Sequence, residues 1–451
     1  MFPLLWQYKD EVKTMAQAFF GGVHPNDMKA ATNEKAIEQL QAPAQVVIPM
    51  SMHFGAPCTP TVSKGDYVKL GQKIGEFKGL GAPIHASVSG TVAAVEPRPY
   101  SMGGKVMSVV IDNDFKDDLS EEVHAPADPD ALSVEEMVEM VKQAGIVGMG
   151  GATFPTHTKI SSGIGKVDTV IINGAECEPY LTSDYRQMLE RSEEIVGGLK
   201  VILHIFDKAK GLICIEDNKP EAIAKMQEAV KDEDRIEVKV LKTKYPQGGE
   251  RTLISAATGR KIYSAKLPAD AGCIVDNVST VIAIYRAVCK QTPLITRVVT
   301  LTGEAFNTPI NVDVRIGCSH AELVEEGDGF KEEPKKIISG GPMMGFAMFD
   351  LNVPVTKTSS SILAMTKDEV AENEPTPCIR CGRCVEACPG NLVPQKMAEA
   401  AMNKDYDTFV KLNGMECYEC GSCTYVCPAK RPLTQSFKQA RQYVAAQRRK
   451  K

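Results

Sequence analysis

The chain has 451 residues, 43% of them hydrophobic and 24% charged, about three times the length of a typical 150-residue domain and ordinary for a multidomain globular protein. Lysine plus arginine number 52 against 57 for aspartate plus glutamate, a formal net charge of −5. No nucleic-acid partner is therefore expected, because that class shows a basic excess. No apolar run reaches the roughly 18 residues of a membrane span, and a start charged at Lys9, Asp10, Glu11 and Lys13 is unlike a secretory signal. The expected place is the cytoplasm, with any membrane attachment made through partners.

Residues 1–40 form a polar N-terminal segment with a turn at Gly21-Gly22-Val23-His24-Pro25. Met15 reads as a second start, with the 14 residues before it dispensable. Residues 41–125 read as short strands divided by Gly and Pro: Gln45–Pro49, Tyr67–Leu70, Gln72–Phe77, Gly90–Val95 and Val106–Ile111. They suggest a small β domain similar to the barrel-sandwich fold of biotin and lipoyl carriers. The turn at Pro83–Gly90 has no Lys, so a swinging-arm function is not expected. His85 reads as a satisfied histidine, not a ligand.

From 126 to 290 the pattern becomes α/β. Ser133 caps a helix over Ser133–Ala144, with Glu135 and Glu136 in its first turn and Gly145 at its end. Strands at Asp168–Ile172, Gly211–Glu216 and Arg235–Leu241 alternate with helical stretches such as Pro220–Val230, which argues for a parallel sheet. Three loops here carry chemistry. Gly145–Gly151 packs four glycines into seven residues, so backbone N–H groups can approach a phosphate, with Lys159 adding charge. Asn173-Gly174-Ala175-Glu176-Cys177-Glu178-Pro179-Tyr180 follows a strand, where ligand loops of α/β sheets lie. Tyr245-Pro246-Gln247-Gly248-Gly249-Glu250-Arg251 is the third. Glu176, Glu178 and Glu250 are candidate acceptors for a ribose or carboxamide, and Cys177 reads as a packed residue. Residues 291–372 return to strands, including Thr296–Thr302 and Pro309–Val314. Residues 373–435 carry a helical stretch near Lys396–Met402, and 436–451 read as a solvated basic tail.

Eight of the fourteen cysteines fall within 378–427. Cys378, Cys381, Cys384 and Cys388 precede Pro389; Cys417, Cys420, Cys423 and Cys427 precede Pro428, a repeat offset by 39 residues. Both fit C-x2-C-x2-C-x3-C-P, the run of two-cluster bacterial ferredoxins, in which the fourth cysteine serves the other cluster. The assignment is Cys378, Cys381, Cys384 and Cys427 on one [4Fe–4S] cluster, and Cys417, Cys420, Cys423 and Cys388 on the other. Gly382 and Gly421 let the backbone turn close to the sulfides. Two zinc sites are the alternative reading.

The three loops, in this order, resemble those of the flavin-carrying, NADH-oxidising subunit of respiratory complex I. From Gly21 onward the chain resembles the RnfC family, a component of the Rnf complex, the ion-translocating ferredoxin:NAD oxidoreductase. The likeness rests on the Gly21–Pro25 start, the carrier-like β domain, the loops, Asn277-Val278-Ser279-Thr280, Gly340-Gly341-Pro342-Met343-Met344-Gly345 and both cysteine runs. It implies FMN contacts from Gly148, Gly150, Gly151, Lys159, Asn173, Gly248 and Asn277. It also implies nicotinamide-nucleotide contacts from Phe154, whose ring would stack on adenine or nicotinamide, and from Glu178 and Glu250. Glu176 and Tyr245 fall in the same cofactor-binding set. Residues 296–325 resemble a β-grasp, SLBB-like module. The chain departs from complex I at Met149, Thr153, Ala175 and Gly249.

The implied architecture is multidomain α/β plus β: a barrel-sandwich β domain, an FMN/NADH α/β domain, a β-grasp module and a helical 2[4Fe–4S] domain. The implied activity passes electrons among NAD(H), FMN and the clusters at the cytoplasmic face of the membrane. Ferredoxin would supply them indirectly, through other Rnf subunits, and integral-membrane subunits would move the ion. Two further readings are a flavin-dependent cobalamin reductase and a non-enzymatic iron–sulfur scaffold with a vestigial flavin site.

Overall fold

The computed structural model describes residues 18–123, 126–264 and 266–449; Met15 with the residues before it, and the terminal Lys450 and Lys451, lie outside them. After β1 (Ile37–Gln39), strands β2 (Gln45–Pro49), β3 (Thr59–Pro60), β4 (Tyr67–Val68), β5 (Lys73–Glu76), β6 (Ile84–His85), β7 (Gly90–Pro99) and β8 (Lys105–Asn113) follow. They form sheets of order β2-β8-β7-β4 and β3-β5-β6. Val46, Ile48, Met50, Ile74, Ile84, Val92 and Ile111 are buried in the core of this module, as alternation in strands dictates. At Gly90, φ is +151°, and an added Cβ would lie 1.9 Å from the Asp112 carbonyl oxygen, so glycine is required beside β8. His85 belongs to this core: burial pushes its pKa down to about 3, which keeps the ring neutral.

The helix Val134–Gln143 starts at Ser133 through a reciprocal capping box. Glu136 N–H donates to Ser133 Oγ at 3.2 Å and Ser133 N–H donates to the Glu136 carboxylate at 2.8 Å. The parallel strands β9 (Thr169–Gly174), β10 (Lys210–Glu216), β11 (Ile236–Leu241) and β12 (Cys273–Asn277) then form a sheet of order β11-β10-β9-β12. Val170, Ile172, Ile213 and Ile215 share a core with helices Ser192–Ile205 and Val278–Cys289. Ile171, Cys214, Cys273 and Val275 share another with helix Glu250–Thr258. The chain leaves β9 toward β10 and returns to β12 on the other flank. The strand order reverses between β9 and β12, the point where open α/β sheets bind ligands beyond their strand C-termini. Asn173 and Asn277 are register partners there.

Strands β13 (Thr296–Thr302), β14 (Ile310–Arg315), β15 (Lys336–Ser339), β16 (Phe346–Ala347) and β17 (Ser361–Met365) join β1 in a mixed sheet of order β1-β14-β13-β17-β15-β16. Helix His320–Glu326 buries Leu323 and Val324 against it. The N-terminal segment, expected to stand apart over 1–40, instead supplies β1, parallel to β14, and covers an otherwise open edge. Lys357, 1% exposed, donates to the carbonyls of Pro83 at 2.9 Å and Gly145 at 2.7 Å. One ammonium thus ties the β module, the glycine loop and the mixed sheet, and burial lowers its pKa to about 8.

In the last module, helices Pro394–Met402, Tyr406–Lys411 and Leu433–Arg449 enclose the cysteine turns. Met397, Phe409, Leu433, Phe437 and Ala440 form its core. The tail expected over 436–451 is therefore corrected: through Arg449 it belongs to a 17-residue helix. Leu433, Phe437, Ala440 and Val444 recur at helical spacing and are buried, while the basic residues occupy the outer face. Among the described residues, no helix is long and apolar enough to cross a membrane.

Candidate functional site

The glycine loop Gly148–Gly151 closes on itself at the switch point. Gly148 N–H donates to the Phe154 carbonyl at 2.9 Å, and Met149 N–H donates to Thr280 Oγ1 at 3.0 Å. A Cβ on Gly150 would come within 2.8 Å of Asn277 Cβ, whereas one on Gly151 would meet nothing within 4 Å. The loop therefore packs on Asn277 and opens outward at Gly151, directly before helix Thr156–Gly163. Exposed N–H groups ahead of a helix suit a phosphate. Lys159 is less free than its sequence position suggests: Nζ donates to the Val275 carbonyl at 2.6 Å and pairs with Asp276 Oδ1 at 2.5 Å. Asn277 is likewise engaged. Its Oδ1 accepts from Ser279 N–H at 2.9 Å, capping helix Val278–Cys289, and its Nδ2 donates to Asp184 at 2.6 Å.

The second loop is held by a residue with no local signal. Lys29 Nζ donates to the carbonyls of Glu176 at 3.1 Å, Glu178 at 2.9 Å and Leu181. Glu176, at φ +46°, accepts from Asp184 N–H at 2.7 Å. Burial raises its carboxyl to about 7 against the pull of Lys29. It organises the start of helix Ser183–Glu190 and does not point at an open crevice. Glu178, also raised to about 7 by burial, accepts from Met343 N–H at 3.1 Å. A Cβ on Gly341 would sit 2.1 Å from Glu178 Oε2, so the Gly340–Gly345 motif exists to admit this carboxylate. Cys177 Sγ accepts from Gly248 N–H at 3.3 Å, and burial pushes its thiol up to about 12, a packed group and not a nucleophile.

Asn173 Nδ2 donates to the Gly248 carbonyl at 2.9 Å, which brings the third loop over β9. Glu250 begins helix Glu250–Thr258 beside Lys159 and Asp276. The Tyr245–Pro246 peptide is cis, and Tyr245, 2% exposed, donates its hydroxyl to the Cys420 carbonyl at 2.6 Å. The loops thus converge, and the third reaches the cysteine module. The largest cavity, about 810 Å³, lies behind this assembly at the junction of three modules, with Met149 in its wall; none of the predicted loop glycines lines it.

The two cysteine turns have the same backbone. Arg380 and Glu419 sit at φ +57° and +56°, Gly382 and Gly421 both at +82°, and Asn391 and Lys430 at +52° and +51°. Each pair is 39 residues apart, so the duplication in sequence is a duplication in conformation. Backbone N–H groups point at sulfur: Arg380 to Cys378, Glu419 to Cys417 and Leu392 to Cys388, each at 3.4 Å. Cys384 lies within electrostatic reach of Cys378 and Cys427, whereas Cys423 is within reach of Cys417, Cys420 and Cys388. The fourth cysteine of each run has crossed to the other set, the arrangement a pair of cubanes requires.

The two sets differ in burial. Cys388, Cys420 and Cys423 are buried and Cys417 is partly so, while Cys378 and Cys381 are exposed. The buried set adjoins the flavin loops. Cys420 packs in one cluster with Val23, Tyr245 and Ala387, against Cys177 and Met343. A Cβ on Gly21 would lie 2.7 Å from the Cys388 carbonyl oxygen, and Gly22 N–H donates to the Ala387 carbonyl at 2.9 Å. The glycine start is therefore a strut between the α/β and cysteine modules. Arg251 pairs with Glu416 at 2.9 Å across the same boundary.

A parallel sheet with phosphate-type loops at its switch point, abutting a duplicated ferredoxin turn, defines an electron-transfer flavoprotein of the iron–sulfur class. Residues 141–286 match the Nuo51 FMN-binding domain, 17–116 the RnfC barrel sandwich hybrid domain, and 377–430 a 4Fe-4S dicluster domain. The chain is 46% identical to the RnfC-type subunit of the Na(+)-translocating ferredoxin:NAD(+) oxidoreductase complex of Acetobacterium woodii, over 96% of this chain and 98% of that one. It is 48% identical to its proton-translocating counterpart from Clostridium ljungdahlii, over 85% and 84%. The equivalent subunit of the ion-translocating oxidoreductase complex of Vibrio cholerae is 40% identical over 88% of this chain and 52% of that longer one. Among solved structures, an NAD+-reducing [NiFe]-hydrogenase in the H2-reduced state shares the fold, with a TM-score of 0.51 and 15% identity over 69% of this chain and 63% of that one. The chain belongs to the RnfC family of ion-translocating ferredoxin:NAD+ oxidoreductase complexes. Its cofactors are FMN and [4Fe–4S] clusters.

Proposed function

We propose that this chain is the NAD(H)-reacting electron-transfer subunit of such a complex. Electrons pass in the order NAD(H), FMN, the buried centre of Cys388, Cys417, Cys420 and Cys423, then the surface centre of Cys378, Cys381, Cys384 and Cys427. A flavin supplies the one chemistry that joins two-electron hydride exchange to one-electron clusters. Gly148, Gly150 and Gly151 receive the FMN phosphate end, while Asn173, Gly248 and Asn277 shape the crevice over β9 and β12. Phe154, Glu178 and Glu250 serve the nicotinamide nucleotide. Lys159 and Glu176 act from beneath, by neutralising Asp276 and holding the second loop. Tyr245 connects the flavin side to the buried centre. The mixed sheet with helix His320–Glu326 is a β-grasp, SLBB-like module. Other subunits, including the integral-membrane ones, bring electrons from ferredoxin and move the ion, and this chain sits peripherally at the cytoplasmic face.

The observation that carries this reading is the asymmetry of the two cysteine sets: one touches Tyr245 behind the flavin loops, the other opens to the surface. Anaerobic purification should give about eight iron and one FMN per chain, and NADH should bleach both chromophores. Cys427→Ser should remove the surface centre's signal and leave NADH reduction of the buried one. Cys388→Ser should instead abolish the centre of Cys417, Cys420 and Cys423. A colourless protein, or zinc without flavin, would refute the reading.

A further inference from the structure

The site described so far uses only loops of the α/β module, yet the β module also reaches it. Its segment between β2 and β3 lies against the glycine loop, where Phe54 N–H donates to the Thr153 carbonyl at 2.9 Å. Thr153 is held at φ +54°, a conformation uncommon for a β-branched residue, and its carbonyl is thereby presented to Phe54. The segment is rigid from both sides. A Cβ on Gly55 would fall 2.0 Å from the Leu80 carbonyl oxygen. His53, 8% exposed, holds the Ala56 carbonyl at 2.9 Å through Nε2. The result is a pair of rings at the rim of the nucleotide loop. Phe54 and Phe154 lie 5.9 Å apart between centroids and are tilted by 35°.

Both rings face water, Phe54 at 48% exposure and Phe154 at 37%. A hydrophobic contact made only to fasten two modules would bury its faces, as Phe77 and Phe306 do elsewhere in this chain to different degrees. Here two flat apolar surfaces are held open by a fixed backbone. An intercalated aromatic needs about 7 Å between the walls, twice the van der Waals contact of about 3.5 Å, so bringing the rings parallel and moving them about 1 Å apart makes the slot. Phe154 belongs to the loop that carries the glycines, whereas Phe54 is the more exposed ring and comes from a different module. We infer that Phe54 is the second wall of an aromatic slot that takes the adenine base of the nicotinamide dinucleotide, with Phe154 as the first. The β module then sets nucleotide affinity, a part that the absence of a carrier lysine had left unassigned. This inference rests on the reading of Phe154 given above.

The test is steady-state oxidation of NADH by the full, anaerobically loaded chain with ferricyanide as acceptor. Stacking of a base on an aromatic ring carries about 1–3 kcal/mol, so Phe54→Ala should raise KM for NADH about tenfold, while kcat and the FMN and iron contents hold. Phe54→Leu keeps an apolar strut but no ring, and should behave like Phe54→Ala; Phe54→Trp should restore the KM. Reduced nicotinamide mononucleotide, which lacks adenine, should show the same KM with all variants. A wild-type KM for Phe54→Leu would reduce the pair to a module contact and overturn the inference. So would an equal rise with the mononucleotide. Phe154→Ala measured alongside separates the two levels. If it raises KM and Phe54→Ala does not, only the role of Phe54 fails; if neither moves KM, the reading of Phe154 itself fails.

Discussion

Glu178 shows how much one carboxyl decides. It is enclosed by Met343 N–H, Tyr245 and the Cβ-free face of Gly341, and burial raises it to about 7 from 4.5. The folded chain therefore holds a proton that the unfolded chain releases near 4.5. The stability this adds is complete below about pH 4.5 and is lost as pH rises through 7. Glu178→Gln stays neutral throughout. Its Tm relative to wild type should therefore climb between about pH 5 and 8 in thermal melts of the two proteins, and parallel curves would refute the assignment. At this scale the sequence was informative where chemistry repeats locally. The spacing of Cys378 to Cys388 against Cys417 to Cys427 carried the crossed ligand sets, because the turn geometry is written in the motif. Lys29 and Phe54 carried no such mark, since their partners lie about 150 and 100 residues away and no local pattern encodes a contact of that range. Lys159 and Asn277 do lie at the switch point, but the structural partners Asp276 and Asp184 that occupy them left no trace in the motifs.

Among elements, the C-terminal helix most changes the expected picture. Its basic composition suggested solvent, yet Phe437 lies 6.2 Å from Phe409 and is 1% exposed, and Tyr443 stacks on Tyr406 at 4.2 Å. The apolar positions 433, 437, 440 and 444 were legible as one helical face and were outweighed by the charges around them. Thr434 adds a direct link, its hydroxyl lying 3.7 Å from Cys423 Sγ. Phe437→Ala should cost about 3–5 kcal/mol within this module. Iron should be lost on gel filtration while FMN stays bound, because the flavin sheet has its own cores; simultaneous loss of both would contradict that separation. Strands and helices of the α/β module, by contrast, fell within a residue or two of their expected ends, since Val/Ile runs alternating with capped helices are local signals.

Across the whole molecule, three modules meet at single buried points. Lys357 is the clearest: its ammonium has no carboxylate partner and satisfies two carbonyls of different modules. Lys357→Met should leave both without donors and destabilise the chain by about 1–3 kcal/mol. Because Gly145 opens the glycine loop, FMN content measured by fluorescence should fall with it, and full retention of FMN would uncouple the two. None of this joinery was legible beforehand, since the sequence divides cleanly into modules while the contacts that fasten them are scattered.

The strut at Gly21 and Gly22 has a consequence for how the protein is made. The first described residues find their partners at Glu176–Leu181, Tyr245, Asn311–Asp313 and Ala387–Cys388. A chain growing from the ribosome must keep its beginning unattached until nearly all the rest has emerged. The last of those partners is a ligand of the buried centre, so metal loading and the final fastening of the N-terminus fall at the same moment of biogenesis.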